Sequence, residues 1–316
     1  MSGATKGRIA IVGAGLIGRA WAMVFARAGH PVALHDADPR ALQRGLEALD
    51  QGLADLRAAG LLDESPVTVR LRITPAPTLA AAAQDAVYVQ ENIAENLDAK
   101  KSLFAQLDRL AAPATILASS TSTITASRWS EHLDGRARCI VAHPVNPPHL
   151  IPLVELSPAP WTAPEVVART KALHEAAGQV PIVVNKEIQG FILNRLQGAL
   201  LAEAFRLHAG GYVSADDIDK TVRDGLGLRW SFMGPFETID LNAPGGVADY
   251  CARYGDVYYQ MAQQQLPRRW DDALVRQIEA ERRALLPAAD LPARGAWRDR
   301  RLMQLVAHKR DAVGND

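Results

Sequence analysis

Short apolar runs alternate with amphipathic stretches along the first part of the chain. An apolar run of about four to eight residues is typical of a buried strand, whereas apolar positions every three or four residues predict a helix. Their alternation is typical of an α/β fold with a doubly wound, mostly parallel sheet. We predict strands at residues 8–12, 32–35, 69–73, 86–90, 115–118, 139–142 and 179–184, and helices at 16–28, 39–59, 97–110 and 164–177.

The pattern changes after Lys186. Between residues 190 and 208, apolar side chains fall on nearly every face of a helix, which predicts a helix buried on most sides. No strand pattern follows it. We therefore predict two domains, an α/β domain over residues 1–187 and an all-helical domain over residues 188–316.

The turn after the first predicted strand is rich in glycine. Gly13, Gly15 and Gly18 have the spacing G-x-G-x-x-G between a strand and a helix. In that context the glycines permit a tight turn, the approach of a pyrophosphate and close helix–strand packing. The first helical residues, Leu16 and Ile17, contribute to the positive helix end that attracts phosphates. The segment predicts a Rossmann-type dinucleotide site; the alternative is a glycine turn without a ligand.

Asp36 stands at the end of the second predicted strand. A carboxylate at this place can accept the adenosine ribose hydroxyls and repel an additional 2′-phosphate. We therefore expect NAD rather than NADP as the cofactor. In the alternative interpretation, Asp36 is an ordinary turn residue in D-A-D-P.

Composition narrows the possible functions. Lys plus Arg and Asp plus Glu number 35 each, so a net charge of zero gives no electrostatic site for nucleic acid or an anionic membrane. Cys139 and Cys251 are the two cysteines, which suits the reducing cytoplasm. The first strand leaves no room for a signal peptide, and we expect no membrane span and no metal site, since the histidines are scattered.

His143 and Glu155 are the strongest candidates for chemistry. His143 closes a predicted strand at its carboxyl end, where α/β sheets place ligands. Glu155 follows a loop stiffened by prolines in A-H-P-V-N-P-P-H-L-I-P-L-V-E-L. A histidine oriented by a carboxylate can remove the proton of an alcohol while a nicotinamide takes the hydride. Together with the glycine-rich turn, the pair predicts alcohol oxidation, although a lone histidine here would more often be structural.

Other polar residues are weaker candidates. Ser122 follows another predicted strand end, where a hydroxyl can also merely cap a helix. Asn194 lies in the apolar helix of the second domain and needs a hydrogen-bond partner, which is either the site or a nearby carbonyl. Asn146 lies just beyond the strand of His143 and can face the cofactor. We expect His149 to be an exposed loop residue.

With these residues in view, the chain resembles the 3-hydroxyacyl-CoA dehydrogenase superfamily, and especially its lambda-crystallin branch, whose vertebrate members act as L-gulonate 3-dehydrogenases. The resemblance extends over nearly the whole chain. It is carried by the segment around His143 and Glu155 and by K-E-I-Q-G-F-I-L-N-R-L-Q, G-L-G-L-R-W-S-F-M-G-P-F-E-T and A-W-R-D-R-R-L-M.

The resemblance implies roles for individual residues. It makes His143 the base, Glu155 its orienting carboxylate and Ser122 the hydroxyl that bonds the substrate oxygen. It also makes Asn194 the amide that lines the site. It places Glu95, Lys100 and Asn146 near the cofactor's ribose and nicotinamide. Dimerisation through the helical domain is a further implication, giving a homodimer.

One departure from that superfamily concerns the substrate. In the hydroxyacyl-CoA enzymes, the helical segment after the second strand is rich in lysine and helps to hold coenzyme A. Here residues 44–66 contain two positive side chains against five negative ones, which is a poor cradle for phosphates. The insert 228–232 is likewise typical of the gulonate and carnitine relatives, whose substrates carry a carboxylate. Arg229 in that insert is our candidate for binding the carboxylate, with a structural ion pair to Glu237 or Asp240 as the alternative.

The sequence therefore predicts an NAD-dependent dehydrogenase that acts on the 3-hydroxyl of a small hydroxy acid, most like L-gulonate 3-dehydrogenase. A short-chain 3-hydroxyacyl-CoA dehydrogenase and a carnitine dehydrogenase remain alternatives. A non-catalytic nucleotide-binding or crystallin-like protein is a further alternative of a different class, because fold does not fix function.

Overall fold

An eight-stranded sheet organises the first part of the molecule. A computed structural model describes residues 6–313. Its strands are β1 (Arg8–Val12), β2 (Val32–His35), β3 (Ile73–Pro75), β4 (Ala86–Glu91), β5 (Ile116–Ser119), β6 (Cys139–Pro144), β7 (Leu153–Pro158) and β8 (Val180–Val183).

The strand order is β3-β2-β1-β4-β5-β6-β7-β8, which is a doubly wound topology. Neighbouring strands are parallel except β6 and β7, which are antiparallel. The predicted α/β fold with a mostly parallel sheet and a helical second part is confirmed.

One strand prediction was wrong, and one strand was not predicted. Residues 66–70 form a helix, since Ser65 accepts a hydrogen bond from the amide of Thr68 and Pro66 begins the first turn. The strand that follows them is Ile73–Pro75, so the prediction at 69–73 was displaced. Strand β7 was not predicted, because its flanking prolines, Pro152 and Pro158, are typical of a loop.

Helices cover both faces of the sheet and make up the rest of the chain. They are α1 (Leu16–Arg27), α2 (Pro39–Ala58), α3 (Pro66–Arg70), α4 (Leu79–Ala83), α5 (Leu97–Leu110), α6 (Ala126–Ser130), α7 (Pro164–Ala176), α8 (Leu193–Ala209), α9 (Ala215–Lys220), a π-helical turn (Thr221–Leu226), α10 (Gly227–Trp230), α11 (Pro235–Leu241), α12 (Gly246–Gln264), α13 (Asp272–Leu285) and α14 (Leu291–Val313). Short 3₁₀ turns lie at Arg136–Arg138 and Ala288–Asp290.

The core lies in two layers, one on each face of the sheet. The first layer packs α1, α2 and α7 around fully buried aromatic side chains such as Trp21 and Phe25. The second packs α5 and α6, where the rings of Phe104 and Trp129 stack with centroids 3.9 Å apart. Two packed layers leave the carboxyl ends of the strands free for a site.

The described residues form two compact units, and each is considered by itself. The α/β unit extends to Asn194 and also contains the chain from Ala296 onward, while the helical unit is Arg195–Gly295. The return of α14 was not part of the predicted division at residue 187. Its Met303 is buried in the first core layer, and Arg310 donates a 2.9 Å hydrogen bond to the carbonyl of Gly60.

The helical unit exposes many apolar side chains. In α8, which we expected to be buried on most sides, His208 is the one buried residue, and Leu196, Leu200 and Leu201 are exposed. The expectation failed because no other described element covers these faces in the single chain. None of the described helices is long and apolar enough to span a membrane.

Candidate active site and its relatives

The candidate residues gather at one edge of the sheet. Strands β1, β2, β4, β5 and β6 run parallel, so their carboxyl ends lie along the same edge. Gly13, Asp36, Glu95, Ser122 and Asn146 all follow these strand ends. This is the edge where open α/β sheets bind ligands.

The glycine-rich turn has the geometry of a dinucleotide cradle. Gly13 has φ of +95°, and a Cβ there would lie 2.7 Å from the Asn92 carbonyl oxygen. A Cβ on Gly18 would lie 1.7 Å from the carbonyl oxygen of Gly13. At Gly15 a Cβ would meet no protein atom within 4 Å, so protein packing does not require that glycine. Open space at the start of α1 fits the approach of a pyrophosphate.

Asp36 is tied to this turn. One carboxylate oxygen, Oδ2, accepts a 2.8 Å hydrogen bond from the amide of Ala14, and Oδ1 accepts one of 3.0 Å from the amide of Asp38. Leu16, at the start of α1, is 62% exposed, so the helix end next to the turn is open to a ligand. The turn and the carboxylate together can hold the adenosine half of NAD.

His143 and Glu155 face each other across β6 and β7. The two residues are paired in the antiparallel register, and His143 Nδ1 lies 2.8 Å from Glu155 Oε2. Both side chains are buried. A carboxylate at Nδ1 fixes the tautomer in which Nδ1 donates, which leaves Nε2 as the acceptor. Among residues 6–313, no group forms a hydrogen bond with Nε2 of His143.

The start of α8 holds Glu155 from the other side. The amides of Ile192 and Leu193 donate hydrogen bonds of 2.8 and 2.9 Å to Glu155 Oε1. Although burial opposes ionisation, the hydrogen bonds from His143 and these two amides lower the pKa of Glu155 below its ordinary value. The carboxylate is therefore charged and fixed in place at neutral pH.

Phe191 is a site residue that the sequence analysis missed. It is fully buried with φ of +50°, and its ring centroid lies 5.4 Å from that of His143. Its left-handed backbone turns the chain so that the next two amides point at Glu155. In the sequence, the glycine before it in Q-G-F was the one available sign of a sharp turn.

Ser122 and Asn194 are brought together. Asn194 Nδ2 donates a 3.0 Å hydrogen bond to the backbone carbonyl of Ser122. Ser122 itself is exposed, in the loop after β5. The amide predicted to need a partner thus finds one on the loop that presents the candidate hydroxyl.

Glu95 and Lys100 lie beneath that loop. Glu95 Oε1 accepts hydrogen bonds from the loop, including one of 3.0 Å from the amide of Ser122. Lys100 is 1% exposed and forms an ion pair with Glu91, with Nζ 2.8 Å from Oε1. The structure therefore places Lys100 in the protein interior and Glu95 where the interior meets the solvent.

A buried polar chain that the sequence analysis did not predict runs from the core to the glycine turn. Tyr88 Oη lies 3.1 Å from His174 Nε2 and donates to Gln90 Oε1 at 2.5 Å. Gln90 Nε2 donates to Ser120 Oγ at 2.6 Å, and Ser120 Oγ donates to Asn92 Oδ1 at 2.7 Å. Apart from the bond between Tyr88 and Gln90, the partners are 28 or more positions apart in the sequence, so no local pattern reveals these bonds.

The remaining residues singled out in the sequence are Asn146, His149 and Arg229. Asn146 is exposed in the loop after β6, in a cis peptide bond to Pro147. His149 was expected to be exposed, but it is half-buried, and burial together with Arg27 lowers its pKa to about 4. Arg229 lies in the helical unit, where it lines an open cavity of 560 Å³ with Leu228 and Phe232.

Across residues 6–313, no three His, Cys, Asp or Glu side chains gather as ligands for a metal ion.

Known proteins resemble this chain over nearly its whole length. Models of the 3-hydroxyacyl-CoA dehydrogenase NAD binding domain and C-terminal domain match residues 8–188 and 190–282. The lambda-crystallin of Oryctolagus cuniculus is 42% identical over 316 residues, covering 98% of each chain. The L-carnitine dehydrogenase of Streptomyces coelicolor (strain ATCC BAA-471 / A3(2) / M145) is 38% identical over 273 residues, covering 85% of each.

A solved structure shares the fold over nearly the whole chain. The structure of FHMPC 5-dehydrogenase, an NAD⁺-dependent dismutase, superposes with a TM-score of 0.83 at 28% identity and covers 98% of this chain and 99% of its own. The resemblance predicted from the sequence is confirmed, and so is NAD as the cofactor. The chain belongs to the 3-hydroxyacyl-CoA dehydrogenase family.

Proposed function

We propose that this protein oxidises the 3-hydroxyl of a small, free hydroxy acid, most like L-gulonate, with His143 as the general base. The observation that carries the proposal is the buried pair of His143 and Glu155 at 2.8 Å, on the sheet edge that also holds the glycine-rich turn. Bound NAD supplies the acceptor for the hydride that leaves the carbon of the alcohol.

In this proposal His143 receives the hydroxyl proton at Nε2. The ring then carries a positive charge, which the Glu155 carboxylate stabilises through Nδ1. Because Oε1 of Glu155 is fixed by the amide of Leu193 in α8 and that of Ile192 just before it, the dyad is held before substrate binds. Burial of both side chains excludes water and strengthens the interaction.

Ser122 and Asn194 are proposed to orient the substrate oxygen. The Ser122 hydroxyl has no hydrogen-bond partner among residues 6–313, so it is available to donate to the substrate. Asn194 holds the carbonyl of the same residue and thereby fixes where the hydroxyl points. The cofactor residues of this proposal are Gly13, Gly15, Leu16, Ile17, Gly18, Asp36 and Asn146, with Glu95 and Lys100 behind them.

The charged residues of α2 and the segment after it favour a free acid over a coenzyme A ester. Arg44 Nη2 lies 3.6 Å from the Asp38 carboxylate. Arg57 Nη1 donates hydrogen bonds of 2.8 and 3.2 Å to the carbonyls of Leu62 and Asp63. Both arginines of residues 44–66 are thus engaged by the protein itself. Asp50 and Glu64 pair with Arg70 and Arg72, whereas Glu47, Asp55 and Asp63 form no salt bridge among the described residues and would repel phosphates.

Arg229 is proposed to bind the substrate carboxylate. Within residues 6–313, no carboxylate lies at salt-bridge distance from its guanidinium, which argues against the proposed ion pair with Glu237 or Asp240 inside one chain. An exposed guanidinium that lines a cavity can offer two parallel N–H donors to two carboxylate oxygens.

A homodimer in the cytoplasm is the proposed state of the protein. Helix α12 buries none of its side chains, and Val247, Tyr254, Val257, Tyr258 and Met261 on it are between 38% and 53% exposed. A second copy of the chain, with the same apolar face, is the proposed occupant of that surface. Exposed Cys251 and buried Cys139, both free, suit a reducing compartment.

A substrate panel tests the proposal. Purified protein with NAD is assayed against L-gulonate, L-carnitine, 3-hydroxybutyrate and 3-hydroxybutyryl-CoA. We expect the highest kcat/KM for a free acid. Preference for the coenzyme A ester would favour a short-chain 3-hydroxyacyl-CoA dehydrogenase instead, and absence of turnover on every 3-hydroxy acid would favour a non-catalytic nucleotide-binding protein.

The Arg229→Lys variant tests the carboxylate contact with the best free acid of that panel. A charged hydrogen bond contributes about 1.5–3 kcal/mol, so KM is expected to rise about tenfold or more while NAD binding is unchanged. Arg223→Lys is the matched control, since Arg223 is an exposed arginine already paired with Asp224. An unchanged KM in Arg229→Lys would return this residue to a structural role.

A further inference from the structure

One carboxylate oxygen gathers the whole Ser122 loop. Glu95 Oε1 accepts four hydrogen bonds: from Thr121 Oγ1 at 2.6 Å, the Ser122 amide at 3.0 Å, the Thr123 amide at 2.9 Å and Thr123 Oγ1 at 3.1 Å. Burial opposes ionisation of Glu95, but these bonds and nearby Lys100 lower its pKa. The oxygen is thereby committed to the protein's own loop.

Two further charges lie behind Glu95. Lys100 Nζ lies 3.6 Å from Glu95 Oε2 and 2.8 and 3.0 Å from the two oxygens of Glu91. Lys100 is 1% and Glu91 0% exposed. Glu91 Oε2 also accepts from Ser119 Oγ at 2.5 Å, and Ser119 Oγ in turn accepts from the Thr121 amide at 3.1 Å. The charged groups therefore hold the loop in two ways: Glu95 accepts hydrogen bonds from it directly, and Glu91 contacts it through Ser119.

Ser122 is held at both backbone polar groups. Its amide donates to Glu95, and its carbonyl accepts from Asn194. Its hydroxyl is the one polar group of the residue without a partner among residues 6–313. Such a residue has its backbone fixed by two side chains and its side chain directed by that backbone.

We propose that Glu91, Lys100 and Glu95 form a charge chain, buried at Glu91 and Lys100, that positions the Ser122 hydroxyl, so that Glu95 acts on the reaction through the loop. This inference rests on the proposed function, because Ser122 orients the substrate oxygen there. Glu95, Lys100 and Glu91 are positioning residues in this account. A charged acceptor suits the task because hydrogen bonds to it are shorter and stronger than those to a neutral one.

Variants at Glu95 test whether this residue positions the Ser122 loop. Glu95→Leu removes all four hydrogen bonds, and misplacement of a reacting group costs up to about a hundredfold in rate, so kcat is expected to fall roughly ten- to a hundredfold. This kcat is measured at saturating NAD, so that a change in cofactor affinity does not enter it. Glu95→Gln retains an acceptor oxygen and is expected to restore most of the lost kcat.

Asp98→Leu is the matched control. Asp98 is an exposed carboxylate in the first turn of the same helix, α5, and no contact with the Ser122 loop involves it. The control is expected to keep the wild-type kcat and NADH affinity. Equal losses of kcat in Asp98→Leu and Glu95→Leu would overturn the proposal, as would an unchanged kcat in Glu95→Leu.

Hydrogen exchange gives a readout that does not need turnover. In Glu95→Leu, the amides of Ser122 and Thr123 lose their acceptor and are expected to exchange at least about tenfold faster in mass spectrometry of that peptide. Unchanged exchange would overturn the proposal even if the protein proved inactive on every hydroxy acid. If Glu95→Leu fails to fold, Thr123→Val removes one donor at the surface and must show the same changes, smaller in size.

Discussion

The two compact units differ in how they bury their apolar side chains. In the α/β unit, Trp21, Trp129 and Tyr88 are fully buried, and the core continues on both faces of the sheet. Among the described residues of the helical unit, the buried apolar ones are Ala215, Ala243 and Leu274. A folded unit needs more burial than that to offset the entropy of its ordered chain. The first unit thus buries its core within one chain, whereas the second leaves many of its described apolar side chains exposed.

The candidate catalytic groups follow the same division. His143, Glu155, Ser122 and Asn194 all belong to the α/β unit, where hydrogen bonds fix them before a ligand binds. Arg229 belongs to the helical unit and is exposed. The proposed function therefore assigns the chemistry to the α/β unit, and the binding of the acid group and the assembly to the helical unit. Four experiments test this division.

The largest effect is expected at His143. His143→Ala removes the proposed base, and general-base catalysis contributes typically 10²- to 10⁴-fold, so kcat is expected to fall by about that factor. NADH affinity is expected to be unchanged, since the histidine serves the alcohol. His132→Ala, at an exposed histidine in the same unit, is the control. Near-normal turnover in His143→Ala would refute His143 as the base, and with it the assignment of the chemistry to the α/β unit.

A charge placed on the apolar face of α12 tests the proposed dimer surface of the helical unit. Val257 is 52% exposed in the single chain, and Val257→Arg would bury an unpaired charge in the proposed dimer. Such a charge costs about 3 kcal/mol or more, equivalent to roughly a hundredfold weaker association. Sedimentation velocity measures the change. Gln260→Arg places the same side chain on the polar face of α12; a wild-type protein that is monomeric would refute the partner surface.

Asp36 tests the cofactor end of the α/β unit. A 2′-phosphate about 4 Å from its carboxylate costs about 4 kcal/mol at an effective dielectric near 20, and half of that after solvent screening still exceeds tenfold. We expect kcat/KM with NAD to exceed that with NADP by at least about tenfold. Asp36→Asn keeps an acceptor for the Ala14 amide and is expected to narrow the ratio. Equal efficiency in the wild-type protein would contradict this role of Asp36.

The smallest effect concerns pH and the completeness of the first core. Full burial lowers the pKa of His174 to about 3. The unfolded chain protonates this histidine as the pH falls below about 6.5, whereas the folded protein keeps it neutral. The free energy of unfolding therefore decreases as the pH is lowered. From about pH 7 to 5.5 the loss in free energy of unfolding is about 1 kcal/mol.

His174→Phe should abolish that part of the pH dependence, because it keeps the ring contacts with Trp21 and Phe25 without a titratable group. Urea unfolding of both proteins at the two pH values, at one protein concentration, measures the difference. The half-buried His149 is present in both proteins, so its contribution cancels. An unchanged pH slope in the variant would mean that His174 is protonated in the folded core.

The same division governs what could be predicted from the sequence. Local patterns gave β1, α5 and the two-part organisation, because a buried strand and an amphipathic helix are written in neighbouring residues. They missed β7, whose strand geometry comes from pairing with β6 and not from its own proline-flanked sequence. They also predicted α8 as buried, since apolar composition indicates that a face is covered but does not indicate what covers it.

The candidate site was predictable where a motif carries it. The glycine-rich turn and the spacing of His143 and Glu155 placed both groups on one sheet edge. The hydrogen bonds that the Ser122 loop donates to Glu95 were not predictable, because they join residues 26 to 28 positions apart. Supporting contacts of this kind depend on the folded backbone, so a sequence shows the reacting groups more readily than the groups that hold them.

The last helix has a consequence for the order in which the molecule is made. Leu302, Met303, Val306 and Ala307 of α14 pack against the core that α1 and α2 build early in the chain. A ribosome releases these residues after the whole helical unit has been synthesised. The α/β unit is therefore the first to begin folding and the last to be finished, and until α14 arrives its growing core exposes apolar surface that chaperones would recognise.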